Sequence, residues 1–304
     1  MKVVLLSGGG GGARFARGLA DVLDPGELTV IGNVGDDIDV LGLDISPDLD
    51  SLLYTFADLL DEERGWGRAG ESWNALESAG AWGGEAWFRL GDRDLGLHLV
   101  RTRALREGVP LSEVTRQISG RVGLESRIVP ATDDRLRTHV VTPSGTFSFQ
   151  EWYVGRGHRD EVDAVEYEGA QLARAAPGVL DRLEGADAIL LAPSNPYLSI
   201  GPILAVREIR DAIERRSVRC LAVSPLVGGA AVTGPAGRML SRMAGGTTPA
   251  LVAQSYKGLI DVLVIDDADA PAVAAVELVV TQTLMSDREA ARRLAEVALE
   301  AACA

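Results

Sequence analysis

Short apolar runs recur along the chain, and most of them lead through a small polar or glycine-rich turn into a segment with helical spacing. Apolar runs of this kind, bounded by turns, are typical of strands in a parallel sheet, because such strands are covered on both faces. Strands are predicted at residues 3–6, 28–31, 188–191, 220–223, 262–265 and 277–281. Helices are predicted at about 15–23, 48–60 and 287–301, and from about 202. The pattern predicts a Rossmann-like α/β fold with a mostly parallel sheet and helices on both faces.

Two stretches depart from this alternation. Residues 61–124 begin with a region rich in tryptophan and glycine and continue with helical spacing at 90–106 and 111–122. Residues 136–142 and 146–154 alternate apolar and polar positions around a Pro-Ser-Gly turn, which indicates a β-hairpin. We therefore predict a nucleotide-binding core of residues 1–60 and 125–304, interrupted by a mainly helical insertion at 61–124.

A run of five glycines joins the first predicted strand to the first predicted helix. Glycine allows left-handed backbone angles and the close approach of an anion, while a helix start supplies unpaired N–H groups. Arg14 would oppose the helix dipole as a surface residue, so a guanidinium aimed at phosphate or carboxylate explains it better. The alternative is a tight turn that only packs the helix on the sheet. The predicted phosphate-binding residues are Gly8, Gly9, Gly10, Gly11, Gly12 and Arg14.

Six aspartates lie between residues 36 and 50, next to the glycine turn if the first two strands are neighbours. Clustered carboxylates repel one another, and Mg²⁺ relieves that repulsion while it also binds substrate phosphates. We predict that Asp36 and Asp50 are magnesium ligands and that Asp39 and Asp44 face solvent. The alternative for Asp48 and Asp50 is a capping role, because they lie at a predicted helix start.

The segment 87–95 mixes aromatic and charged residues too densely for a simple amphipathic helix, which favours a ligand-facing loop. Arg89 and Arg93 are candidates for holding anions, with Asp92 and Asp94 orienting them. A surface cluster of salt bridges is the alternative.

Small polar residues and glycines follow two of the predicted strands in the second half of the chain. Ligands of open α/β sheets bind at the carboxyl ends of the strands, so these residues are suited to hydrogen-bonding a ring, a ribose or a phosphate. Proline-rich turns of no functional role are the alternative. The residues predicted to line a nucleotide here are Ser194, Asn195, Ser224, Gly228 and Gly229.

The chain has 304 residues, with 30 basic and 44 acidic side chains and a formal net charge of −14. This charge opposes non-specific binding to nucleic acid or anionic lipid. Lys2 and Lys257 are the only lysines, which excludes a P-loop ending in Gly-Lys-Ser/Thr. The two cysteines lack a metal or disulfide spacing, and no apolar run has the length of a membrane span. A reduced, cytoplasmic setting is therefore expected.

Several motifs occur in one order along nearly the whole chain, and their joint order is specific although each is weak alone. They lie at residues 8–14, 33–37, 46–50 with 54–55, 66–67, 87–95, 149–152, 193–204 and 224–236. Together they resemble the 2-phospho-L-lactate transferase family of coenzyme F420 biosynthesis, whose actinobacterial members are phosphoenolpyruvate transferases. Gly10, Arg14 and Val34 stand where relatives also carry other residues, and none of these differences removes a charged group.

The resemblance implies transfer of a phospho-organic-acid unit from a guanosine-diphospho donor to the ribityl hydroxyl of the deazaflavin Fo, with release of GMP and with Mg²⁺ required. It implies that Asp36 and Asp50 carry or orient the metal and the acceptor, that Asp50 accepts the hydroxyl proton, and that Arg89 contacts the deazaflavin. By the same resemblance, Asn33, Asp50 and Asp92 also contact Fo, the insertion contributes to this acceptor site, and the protein is a homodimer.

Two other functions share part of this pattern. A nucleotide-sugar-binding regulator of the same fold would use the glycine turn, but the acidic stretch and the segment 87–95 favour the transferase. A nicotinamide-dependent dehydrogenase would fit the glycine spacing, yet the second strand ends in Gly32-Asn33 where an acidic ribose ligand is expected. The acid of the donor stays open between phosphoenolpyruvate, 2-phospholactate and 3-phosphoglycerate types.

Overall fold

The computed structural model describes residues 1–124 and 128–304. The strands are β1 (Val3–Ser7), β2 (Leu28–Gly32), β3 (Ile38–Val40), β4 (Leu43–Ile45), β5 (Ile128–Pro130), β6 (Arg137–Thr142), β7 (Gly145–Ser148), β8 (Ala164–Glu168), β9 (Ala188–Leu191), β10 (Cys220–Val223), β11 (Leu226–Val227), β12 (Ala230–Ala231), β13 (Val262–Asp266) and β14 (Glu277–Thr281). The helices are α1 (Gly9–Val22), α2 (Pro47–Phe56), α3 (Asn74–Ala81), α4 (Asp92–Arg106), α5 (Leu111–Arg121), α6 (Val179–Glu184), α7 (Gly201–Ala205), α8 (Arg207–Glu214), α9 (Ala236–Ala244), α10 (Pro249–Ser255) and α11 (Arg288–Cys303). Short helical turns lie at Glu151–Gly155, Pro196–Ile200 and Asp267–Asp269.

Seven strands form a central sheet in the order β14-β13-β10-β9-β1-β2-β5, and each neighbouring pair is parallel. This confirms the predicted parallel sheet and the six predicted strands. The chain builds β2 and β5 on one side of β1 and later builds β9, β10, β13 and β14 on the other side. The strand order therefore reverses between β1 and β9, and the ligand crevice of an open α/β sheet lies at such a reversal.

Helices α1 and α11 pack against each other over the middle of the sheet. The contact is close at Gly18, where a Cβ atom would lie 2.6 Å from the carbonyl carbon of Ala291. The predicted C-terminal helix is confirmed, with the Asp287 side chain accepting a hydrogen bond from the Ala290 N–H at its start. Among the described residues, no helix has the length and apolar content needed to cross a membrane.

Three small antiparallel sheets lie outside the central one: β3 with β4, β11 with β12, and β7-β6-β8. The predicted hairpin is confirmed as β6 and β7. The prediction of a strand over 146–154 is wrong beyond Ser148, because the chain turns into a π-helical segment at Glu151–Gly155. This turn buries Trp152 in a small apolar cluster of its own, a tertiary contact that overrides the local strand pattern.

Helices α3, α4 and α5 lie within the predicted helical insertion. Helix α4 packs against β4, and α5 packs against β5 at the edge of the central sheet. Leu111 and Leu124 belong to the main core, so this end of the segment is continuous with the sheet. The predicted boundary at residue 125 lies outside the described residues, and the division into core and insertion stays a prediction.

Candidate active site

The glycine run lies at the point where the strand order reverses. Strand β1 ends at Ser7, Gly8 caps the following helix, and α1 begins at Gly9. The prediction that this helix starts near residue 15 is wrong, because the glycines themselves form its first turn. The first N–H groups of a helix have no partner within it. The Gly9 N–H donates to Asp48 Oδ1 at 2.8 Å, whereas the N–H groups of Gly10 and Gly11 have no recorded partner among residues 1–124 and 128–304.

Two of the glycines are needed because other loops pack directly on them. A Cβ atom on Gly8 would lie 2.5 Å from Asp48 Oδ2 and 2.9 Å from the Ser199 Cβ atom. A Cβ atom on Gly12 would lie 2.7 Å from Ser194 Oγ, and that hydroxyl donates to the Gly8 carbonyl at 2.7 Å. The loops after β1 and β9 therefore close on each other at the glycine turn.

Asn33 is a fully buried amide at the end of β2 that holds two carboxylates. Its Nδ2 donates to Asp36 Oδ1 at 2.7 Å and to Asp48 Oδ2 at 2.9 Å, and its Oδ1 accepts from the Gly35 N–H at 2.8 Å. Asp36 Oδ2 has no hydrogen-bond partner among residues 1–124 and 128–304. The structure thus brings Asn33 and Asp36 to the glycine turn, while a contact of Asn33 with Fo stays a prediction.

The two carboxyl groups beside Asn33 are only 5–6% exposed. Burial, together with the charge of Asp48, raises the pKa of Asp36 well above its ordinary value. Burial also raises the pKa of Asp48 to about 6, against the lowering effect of the hydrogen bonds from Asn33 and Gly9. Both shifts arise because negative charge is costly in this buried pair. A cation between the carboxylates would relieve that cost.

Asp50 lies on a different side of α2 from Asp48, because two residues advance a helix by roughly 200°. Its carboxylate forms a bidentate ion pair with Arg101 of α4, in which Nη1 lies 2.9 Å from Oδ2 and Nη2 contacts Oδ1. Both side chains are buried. Asp48 therefore occupies the place beside the glycine turn that the sequence assigns to Asp50.

The Asp50–Arg101 pair belongs to a buried polar network between α2 and α4. His98 Nδ1 lies 3.8 Å from Asp50, and His98 Nε2 lies 3.3 Å from Asp94 Oδ1. The Tyr54 hydroxyl also donates to Asp94. Burial alone would raise the pKa of Asp94, but these partners outweigh it and the pKa is lowered. The network fixes the insertion to the helix that carries Asp48.

The residues predicted to line a nucleotide fall into two groups. Ser194 contacts the glycine turn, and the next residue, Asn195, caps the π-helical turn by accepting from the Tyr197 N–H at 2.9 Å. Ser224 follows β10, and its hydroxyl accepts from the Leu226 N–H at 3.2 Å.

Gly228 and Gly229 form the turn of the small β11–β12 hairpin, with φ angles of 59° and 72° that favour glycine. The Gly229 N–H donates to Asp269 Oδ1 at 2.7 Å. Within the described part of the chain, recorded contacts join Ser194 to the glycine turn, but none joins Ser224 or the two glycines to it. Their nucleotide role stays a prediction.

The residues predicted for the acceptor side have different surroundings. Arg89 is exposed, and its Cζ atom lies 5.2 Å from the centre of the Trp73 ring. Asp92 caps α3 by accepting from the Ala75 N–H, the Ser72 hydroxyl and Asn74, and these bonds lower its pKa to about 2. Asp92 therefore has a structural task, and its contact with Fo stays a prediction.

Arg14 projects from the first turns of α1 toward the segment after residue 60. Its Nη2 atom lies 3.7 Å from the position that a Cβ atom on Gly65 would take. Across residues 1–124 and 128–304, no carboxylate lies within salt-bridge distance of this guanidinium. A half-buried cation without an acidic partner beside free N–H groups is suited to an anionic ligand.

Tyr153 is a further residue at this site that sequence reasoning did not identify. Burial, together with the charges of Asp36 and Asp48, raises the pKa of its phenol. Its ring stacks on Phe149 at 5.2 Å and on His158 at 4.9 Å between centroids. The available signal was the aromatic motif at 149–152, immediately before it in the sequence.

No cluster of three or more His, Cys, Asp or Glu side chains suited to a metal ion occurs within the described ranges. Magnesium, however, commonly takes one or two protein carboxylates and completes its shell with water and substrate phosphate. Asp36 and Asp48 are the residues that could hold such an ion. Asp36, Asp48 and the first N–H groups of α1 are the candidate residues for binding a phosphate together with a cation, and this role stays a prediction.

A protein-family model described as 2-phospho-L-lactate transferase CofD matches residues 3–301. The chain belongs to this transferase family. Curated relatives support the assignment. A phosphoenolpyruvate transferase of Streptomyces griseus is 43% identical over 99% of this chain and 98% of its own. That of Mycolicibacterium smegmatis is 38% identical over 99% of both chains.

Family membership makes the chain a transferase of a phospho-organic-acid unit in coenzyme F420 biosynthesis. The fold has a solved counterpart in a member of the UPF0052 family from Bacillus halodurans, with a TM-score of 0.67 over 98% of each chain. At 16% identity, that likeness concerns the fold alone.

Proposed function

We propose that this transferase moves a phosphoenolpyruvyl or 2-phospholactyl unit from a guanosine-diphospho donor to the ribityl hydroxyl of Fo, and that GMP is released. The observation that carries the proposal is the pair of buried carboxylates, Asp36 and Asp48, held by Asn33 against the first turn of α1. A site that offers carboxylates and N–H groups together suits a phosphate that arrives with a cation.

The first turn of α1 binds the phosphates being exchanged. The N–H groups of Gly10 and Gly11 donate to phosphate oxygens, and Arg14 adds a positive charge from the side. These donors are fixed by the helix before the substrate arrives, so they stabilise charge that develops on the phosphate without reorganising. The acceptor hydroxyl attacks phosphorus as GMP leaves, and its proton departs to a base.

Magnesium fits the residues present. Asp36 and Asp48 supply hard oxygen ligands, and Asp36 Oδ2 has no hydrogen-bond partner within the described ranges. Bound there, Mg²⁺ would neutralise charge on the phosphate oxygens of the donor. Asn33 keeps both carboxylates in place through one amide group. The metal role of Asp50 is less well supported, because its carboxylate is already paired with Arg101.

The names of the relatives bear on the donor. Proteins 38–43% identical to this chain are described as phosphoenolpyruvate transferases, which supports a phosphoenolpyruvyl unit over a 2-phospholactyl unit. The homodimer stays a prediction of the family resemblance, and the cytoplasmic location stays a prediction from the cysteine pattern and the apolar runs of the sequence.

Turnover with defined substrates tests the proposal. Purified protein is mixed with Fo, MgCl₂ and each of three guanosine-diphospho donors, which carry phosphoenolpyruvate, 2-phospholactate or 3-phosphoglycerate, and GMP and the Fo product are separated by chromatography. We expect equimolar GMP and product, fastest with the phosphoenolpyruvate donor, and none after chelation of Mg²⁺. Donor binding without GMP release would instead support the regulatory alternative.

A glycine pair provides the matched variants. Gly8→Ala should lower kcat at least a hundredfold, because its methyl group would displace Asp48 and Ser199 from the turn. Gly96→Ala is the control: it lies within α4 with nothing inside 4 Å of the new methyl group, so activity should be unchanged. Its helix should be stabilised by about 0.5–1 kcal/mol. Full activity in Gly8→Ala would contradict the assigned site.

A further inference from the structure

A small cavity lies beside the Asp50–Arg101 ion pair, where α2, α4, α5 and the edge strand β5 meet. Asp50, Arg101, Thr115 and Ser119 line it, and the rest of its wall is apolar. The volume of the cavity is about 10 Å³. One water molecule needs roughly 10–15 Å³ of such space. The cavity therefore has room for a single water molecule and not for a larger ligand.

Three polar atoms of the lining side chains lack a hydrogen-bond partner in the protein. They are Arg101 Nε, Thr115 Oγ1 and Ser119 Oγ, and each is buried without a bond to any of residues 1–124 and 128–304. The three residues are between 1% and 7% exposed, so bulk solvent does not reach these atoms. Nearly all buried polar atoms of folded proteins pair with the protein or with an ordered water molecule. Three such atoms around one cavity therefore indicate a ligand that pairs with all of them.

Helix α5 supplies both hydroxyl groups. Thr115 and Ser119 are four residues apart, so their side chains lie one above the other on the same face of the helix. Leu111, one turn earlier on that face, packs in the main core. The two small polar side chains that follow fill less space than leucine would, which leaves the cavity between the helices.

The Arg101 side chain has one further donor next to the cavity. Its Nη1 and Nη2 atoms both contact the Asp50 carboxylate, and the Nε–H group takes no part in that ion pair. A guanidinium N–H donates and never accepts. A ligand in the cavity must therefore offer an acceptor to Arg101.

The charge and the hydrogen-bonding groups of the lining select the ligand. Asp50 and Arg101 carry opposite charges and pair with each other, so a buried ion would have no counter-charge left, and a neutral ligand is favoured. The Thr115 and Ser119 hydroxyls can each accept a hydrogen bond. Water accepts once and donates twice within this volume, and about three hydrogen bonds are usual for a buried water molecule.

We propose that this cavity binds one ordered water molecule, which accepts a hydrogen bond from Arg101 Nε and donates to Thr115 Oγ1 and Ser119 Oγ. The water joins α5 to the ion pair that connects α2 with α4. It thereby holds the Arg101 guanidinium in the orientation that pairs with Asp50. This inference is independent of the proposed reaction.

A high-resolution crystal structure of the full chain tests the site directly. We expect electron density for one water molecule within hydrogen-bonding distance of all three atoms. The alternative is that each hydroxyl donates to a carbonyl oxygen one turn earlier in α5, as Ser and Thr side chains in helices can do. Hydroxyls bonded to the Leu111 and Thr115 carbonyls, with no water density in the cavity, would overturn the proposal.

Two buried threonines provide matched variants for solution measurements. Thr115→Val removes a hydroxyl that lines the cavity, whereas Thr55→Val removes one that lies outside it. Both hydroxyls are buried without a protein partner in the described part of the chain, and both residues lie in helices. Thr115→Val should lower the urea midpoint of unfolding, because the water loses one of its partners. Thr55→Val should not lower it, since no hydrogen bond is lost. The same midpoint for Thr115→Val as for wild type would contradict the link between the water and α5.

The number of long-lived buried water molecules gives a readout that does not depend on stability. Magnetic relaxation dispersion of the water signal counts such molecules in the folded protein. Ser119→Val places added methyl groups in the cavity, so this number should fall by one relative to wild type. Thr55→Val should leave the number unchanged. An equal number of long-lived water molecules in Ser119→Val and wild type would overturn the site, and near-UV circular dichroism verifies that each variant is folded.

Discussion

Asn33 organises the candidate site at the scale of single residues. A buried amide has two N–H donors. Those of Asn33 donate to the carboxylates of Asp36 and Asp48, which would repel each other more strongly if no donor lay between them. These hydrogen bonds stabilise the two carboxylates only in part, because burial still raises the pKa values of both. Keeping both carboxylates buried and ionised at neutral pH therefore has a cost in folding stability.

That cost predicts a pH dependence. The pKa of Asp48 is about 6 in the folded protein, above its ordinary value near 4 in an unfolded chain. Because the folded state binds the proton more tightly, this group stabilises the fold below about pH 4, and the contribution is lost as pH rises through 6. The Tm of wild-type protein should therefore fall more steeply between pH 4.5 and 7 than that of Asp48→Asn.

Differential scanning fluorimetry without added Mg²⁺ measures this difference directly. Asp39→Asn is the control, because Asp39 is exposed on the β3–β4 hairpin and should give a curve parallel to wild type. Parallel curves for wild type and Asp48→Asn would show that Asp48 carries no raised pKa.

The sequence predicts Asp36 and Asp50 as metal ligands, and the structure places Asp36 and Asp48 beside Asn33 and the glycine turn; which carboxylates bind a metal stays a prediction. Asp36 was identified and lies beside the glycine turn. Asp48 and Asp50 both lie in the first turn of α2, where acidic residues commonly stabilise a helix start. The sequence alone does not say which face of that helix meets the glycine turn. Asp50 forms its ion pair with Arg101, which lies 51 residues further along the chain, and no local sequence pattern predicts such a pairing.

Helix α2 is the element that joins the site to the helical segment. One side carries Asp48 to the glycine turn, and another carries Asp50 to Arg101 of α4. Helix α4 is therefore tied by a buried ion pair to the helix that positions Asp48. The Asp50–Arg101 pair is a clamp between the two helices, and the roles of Asp50 at the metal and at Fo stay predictions.

The free energy of unfolding tests whether the Asp50–Arg101 pair holds the two helices together. Asp50→Asn leaves the buried Arg101 charge without its partner, so the free energy of unfolding should fall by about 3–5 kcal/mol in urea denaturation. Replacing both residues, as Asp50→Asn with Arg101→Met, should recover part of the loss. If Asp50 were instead a reacting group, Asp50→Asn would abolish turnover with little change in unfolding.

Element-scale prediction succeeded where the apolar pattern is long and failed where tertiary contacts decide. Six of the seven strands of the central sheet were predicted because they are buried runs bounded by turns, whereas the short edge strand β5 was not predicted. The start of α1 was misplaced because glycine has a low helix propensity, and here packing against Asp48, Ser194 and Ser199 outweighs it. Strand β8 was not predicted, although Val165 and Tyr167 alternate with Glu166 and Glu168 along it.

At the scale of the whole molecule, the helical segment and the sheet share one core. Leu111 and Leu124 pack with the sheet residues, and the buried α2–α4 network crosses between the two parts. The sequence suggests an insertion from its change of composition, but composition does not reveal whether such a segment is energetically independent. The shared core indicates that it is not.

Unfolding should therefore be a single cooperative transition. Four of the five tryptophans lie between residues 66 and 87, so fluorescence excited at 295 nm reports on this segment, whereas far-UV circular dichroism reports on the whole chain. The two signals should give the same urea midpoint within error. An earlier fluorescence transition would show that the segment unfolds by itself.

The strand order also determines when, during translation, the two sides of the candidate site can come together. The Ser194 hydroxyl that closes on the Gly8 carbonyl lies 186 positions later in the sequence. During synthesis, the glycine-rich end of the chain leaves the ribosome long before β9 exists to flank it. A nascent polypeptide truncated before that strand would expose the first turn of α1 without the Ser194 loop that packs on it, so the candidate site is completed late in translation.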